Sequence, residues 1–153
     1  MSAILDFYRG IGTDSAGRTR EQVANLSLDE LESVHDWVQH AFPSTEPSRF
    51  QPQTPVLTPE DVAEFQADPV NPDGVLRTQM LTFLGRTWAF YQSTDNWKSA
   101  HDHNHFRITR ILKFVNLMDP VLAQKLLKAF LDDCGPLVPE TTKQFWRDAA
   151  PTV

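Results

Sequence analysis

The sequence predicts an all-α fold, a compact single domain over residues 1–153 with about six to seven helices and short connections. Three observations carry that expectation. Apolar residues recur at a period near 3.6 behind capping residues in several segments. No alternating run is long enough for a convincing strand. An apolar content of 41%, with ten Phe and four Trp, is ample for one core.

The best-defined segment begins at Ser27, where Glu30 three residues on completes a capping box. Leu28, Leu31, Val34, Trp37, Val38, Ala41 and Phe42 then share one face, and Pro43 stops the helix. Asp29, Glu30 and Glu32 favour its positive N-terminal end. A shorter helix is expected near Thr19–Ala24. Residues 43–57, with four prolines, read as an ordered loop. Thr58 and Pro59 open a short helix anchored by Val62 and Phe65, with Leu57 stapled onto Val62. A helix over 72–90 turns Leu76, Met80, Phe83, Leu84 and Phe90 inward. The next covers 104–117, with Ile108, Ile111, Leu112 and Val115 as its core stripe. Asp119-Pro120 caps and starts another, burying Val121, Leu122, Leu126, Leu127 and Phe130 as far as Gly135-Pro136. Pro139 opens a last helix carrying Phe145 and Trp146.

The net charge of −6 is unevenly spread. Residues 1–97 carry six basic and fourteen acidic side chains, residues 98–128 six basic and two acidic, and residues 129–153 two basic and four acidic. An acidic body argues against extensive nucleic-acid binding, while the local basic element can meet an anionic ligand or its own acidic neighbours. The lone Cys134 permits no intrachain disulfide and no cysteine metal site. With no signal-type leader and no apolar run of spanning length, the expected location is cytoplasmic.

The densest chemical feature is His101-Asp102-His103-Asn104-His105. On a strand, three imidazoles two apart could hold zinc. On the helix expected here they diverge, which leaves only a site that recruits His35 or Asp36 from elsewhere, and neither a metal site nor a cofactor is expected. Helical spacing instead puts His103, Arg107 and Arg110 on one stripe, edged by Lys113, and His105 with Thr109 and Leu112 on another, nearer the core. The first stripe can hold a phosphate or carboxylate. Alternatively each guanidinium reaches an internal acid or a backbone carbonyl, with Glu46 the favoured carboxylate. Of the two, Arg107 should be the more structural and Arg110 the more exposed. His35-Asp36-Trp37 is a second candidate, with His35 beside the apolar stripe and Asp36 toward solvent. No Gly-rich phosphate loop, serine elbow, HExxH pair or kinase signature occurs.

These segments resemble the conserved domain of the opioid growth factor receptor family. The matching stretches are Phe7-Tyr8-Arg9, Leu31 through Gln39, Phe42-Pro43, Glu46-Pro47-Ser48, Leu57-Thr58, Asn96-Trp97 and His103 through Lys113, covering roughly residues 4–131. The family commonly has Gln-Trp-Leu-Phe-Pro where this chain has Gln39-His40-Ala41-Phe42-Pro43, so His40 is expected to be more exposed. It often has an Asn near the position of Phe50-Gln51. The resemblance implies kinship with an animal receptor for an enkephalin-type peptide, linked to the nucleus and to restraint of proliferation. Members limited to the conserved domain, as this chain nearly is, occur in bacteria, where an opioid peptide is no natural ligand. The resemblance carries no catalytic residues.

The leading reading is therefore a soluble helical binding or interaction domain for a peptide, a protein or a small anionic ligand. Its candidate site residues are His35, Glu46, His103, Asn104, His105, Arg107 and Arg110, with the ligand between the His103–Arg110 face and the Phe42–Ser48 loop. The alternatives are an uncharacterised enzyme using His35, His103 or His105, and a purely structural or assembly module.

Overall fold

The computed structural model describes residues 2–48, 52 and 54–152, and among them the regular structure is helical, apart from one isolated bridge between Val70 and Asp73. Phe50 and Gln51 lie outside the described residues. Nine helices occur among the described residues, more than the six to seven expected. The chain divides into two compact units, Met1–Ser93 and Thr94–Val153.

The first unit holds α1 (Ala3–Arg9), α2 (Arg20–Ala24), α3 (Leu28–Ser33), α4 (Val38–Ala41), α5 (Pro59–Gln66) and α6 (Val75–Ser93). Sequence reading missed α1, whose seven residues are too few to show a period. Ser2 caps it by accepting the Leu5 N–H at 3.3 Å, and Gly10 ends it at φ +81°, a left-handed conformation that glycine adopts without cost. Capping boxes at Thr19, Ser27 and Thr58 start α2, α3 and α5.

The helix expected over 27–42 is two helices. Val34 takes an extended conformation (φ −84°, ψ 115°), and residues 35–37 form a bend before α4. Tertiary partners replace the lost helical hydrogen bonds. The Trp37 indole N–H donates to the Leu31 carbonyl at 2.9 Å, and Asp36 accepts from Arg18 at 2.7 Å. Asp36 is thus half-buried and paired, where sequence reading had it facing solvent. The break also re-phases the apolar stripe. Leu31, Trp37, Val38, Ala41 and Phe42 are buried as expected, Val34 is half-buried, and Leu28 is 39% exposed. Farther on, Phe65 anchors α5 and Leu57 is buried, while Val62 is only half-buried.

Helix α6 starts at Val75, three residues later than expected, because the Asp68 carboxylate caps it by accepting the Arg77 N–H at 2.9 Å. A Cβ at residue 74 would lie 2.2 Å from Asp68 Oδ2, so Gly74 leaves room for that cap. Leu76, Met80, Phe83 and Phe90 are buried, and Leu84 is half-buried. Helices α1, α2 and α3 pack on α6, and α4 packs on α1. The core of this unit is aromatic. Phe83 stacks on Phe7 at 6.0 Å and meets the edges of Tyr8 at 5.5 Å and Phe42 at 6.4 Å. The buried Tyr8 hydroxyl donates to the Ala41 carbonyl. His40, expected to be exposed, is buried with its ring 5.7 Å from Phe7, because α4 turns it toward α1.

The second unit holds α7 (Asn104–Met118), α8 (Pro120–Asp133) and α9 (Glu140–Ala149), each packed on the other two. Asp119 closes α7 and caps α8, accepting the Leu122 N–H at 3.0 Å. Ile108, Ile111, Leu112 and Val115 are fully buried, as their spacing requires. Trp97, Phe130 and Trp146 complete the core, with centroid separations of 5.6–6.4 Å. Three residues expected on the buried side of α8 face outward or partly so: Val121 is 61% exposed, and Leu122 and Leu126 are half-buried. On α9, Phe145 is 66% exposed. With α7 and α9 as its neighbours, α8 turns Ala123, Leu127 and Phe130 inward, and Val121 lies on its far side.

Candidate binding face on helix α7

Helix α7 starts on a carboxylate. Asp102 Oδ1 accepts the Asn104 N–H at 3.0 Å and the Asn104 side-chain amide at 3.3 Å, and His103 Nδ1 lies 3.2 Å from the same oxygen. One acid thus satisfies an otherwise orphaned helix donor and orients the two side chains after it. Asp102 lay in the motif singled out from sequence but was assigned no role there. An Asp just ahead of an apolar-periodic run is the signal that could have assigned it.

From that start the helix sorts the candidate residues by direction. His105 turns inward, and its Nε2 lies 2.8 Å from the Trp97 carbonyl oxygen, so that nitrogen carries the proton. The imidazole meets Trp146 edge-on at 5.8 Å. The His105 carbonyl accepts from the Trp146 indole N–H at 3.2 Å and the Thr109 hydroxyl at 3.0 Å. Asn104 is fully buried, and Arg107, 5% exposed, donates to its side-chain oxygen at 3.4 Å. His103 faces the other way with 43% of its side chain exposed, as a separation of two residues on a helix requires.

Arg110 is half-buried, and burial pushes its guanidinium down to about 10, still cationic at neutral pH. Lys113 is exposed. One turn before Arg110 on the same side stands Phe106, 71% exposed. Sequence reading passed over it, although Phe106 lies about 200° around the helix from Ile108 and therefore cannot share the core stripe. Helix α7 carries Arg107, Arg110 and Lys113 and no acidic residue. With Arg107 buried, Arg110 and Lys113 are the cations of its outer face, which can attract an anionic group electrostatically while offering an apolar anchor beside it.

The two remaining candidates belong to the first unit. His35 is exposed in the bend between α3 and α4. Glu46 is exposed in the loop after α4, and its backbone N–H donates to Ser44 Oγ at 3.0 Å.

A family model described as the opioid growth factor receptor (OGFr) conserved region matches residues 20–149. The match takes in α2 through α9, reaching farther toward the C-terminus than the stretches noted in the sequence and beginning after α1. No curated protein and no solved structure matches the chain. With most of its length, the whole of α7 included, inside that conserved region, the chain belongs to the opioid growth factor receptor family.

Proposed function

We propose that this chain is a cytoplasmic interaction domain whose outer α7 face receives an acidic segment of a peptide or protein. The observation that carries the reading is Phe106, 71% exposed on a helix that carries Arg110 and Lys113 on the same side and has no acidic residue. Exposed aromatic side chains beside arginine are the usual anchors of an interface, and the flanking charges steer an anionic partner toward them. Within this reading the seven candidate residues divide. Asn104, His105 and Arg107 hold the helix in place, Arg110 presents charge beside Phe106 and Lys113, His103 stands exposed at the start of the face, and His35 and Glu46 take no part in it.

The test is fluorescence anisotropy of a labelled oligoglutamate peptide titrated with the chain. Binding is expected that weakens as salt rises and falls about tenfold in the double variant Arg110→Ala, Lys113→Ala. Equal binding by that variant, or equal binding of an oligolysine peptide, overturns the reading.

A further inference from the structure

We draw no further inference here: the strongest candidate, the surface patch on the turn between α5 and α6 where Val70 and Val75 are exposed, is an apolar face, and nothing in the structure shows what covers it.

Discussion

Arg107 and Arg110 lie one helical turn apart, yet their surroundings give them different work. Arg107 is 5% exposed and donates to Asn104, itself fully buried beneath the capping carboxylate of Asp102. Its truncation leaves buried polar groups with fewer partners, and Arg107→Ala is expected to cost about 3 kcal/mol. Arg110 is half-buried, and burial already disfavours its charged form. Removing it relieves part of that cost, so Arg110→Ala is expected to change stability by less than about 1 kcal/mol. Urea unfolding of the two variants at one salt concentration checks the order, and a larger loss for Arg110→Ala reverses the assignment of roles. The spacing from Ile108 and Leu112 was enough to anticipate which arginine is the more buried. The hydrogen bond to Asn104 needed coordinates, since sequence reading favoured Glu46 as the acceptor.

At the scale of elements, helix starts were far more legible than helix courses. Thr19, Ser27, Thr58 and Asp119 each cap as their side chains promise, since capping depends on atoms within three or four residues. Helix α3 offers a test by titration. The Ser27 backbone N–H donates to Glu30 Oε1 at 3.0 Å, and this bond holds the Glu30 carboxyl below its ordinary value of 4.5. A carboxylate with a lowered folded pKa stabilises above its unfolded value and loses that contribution as pH falls through the folded one. The stability difference between the native chain and Glu30→Ala should therefore be constant near neutrality and shrink below pH 4.5. A difference that grows in acid contradicts the capping role. The course of the same segment was misread because Val34, Trp37 and Phe42 fit one helical stripe on paper. Arg18 and the Leu31 carbonyl, partners from outside that stripe or turned back upon it, stabilise the bend instead.

For the molecule as a whole, the N-terminal segment carries more than its family match suggests. The conserved region begins at residue 20, whereas Ile4, Leu5, Phe7 and Tyr8 of α1 are all buried. Phe7 and Tyr8 supply rings to the cluster around Phe83, and Tyr8 ties α4 to α1 through Ala41. A chain lacking residues 1–19 is expected to lose the native packing of residues 20–93, since removing two fully buried aromatic side chains alone costs about 6–10 kcal/mol. Limited proteolysis should then cut this region quickly, and a truncated chain as resistant as the full one refutes the point.

By itself the sequence determined the helical class, the caps at Ser27, Thr58 and Asp119, the inward stripe of α7 and the family, because these follow from local chemistry and from spacing along one helix. Tertiary structure alone decided that the 27–42 segment bends, that His40 is buried against Phe7 and that His105 braces Trp97 and Trp146. It also left Phe106 in the open. Each of these outcomes depends on which element lies against which, and a period of 3.6 residues says that a helix has a buried face without saying what will cover it.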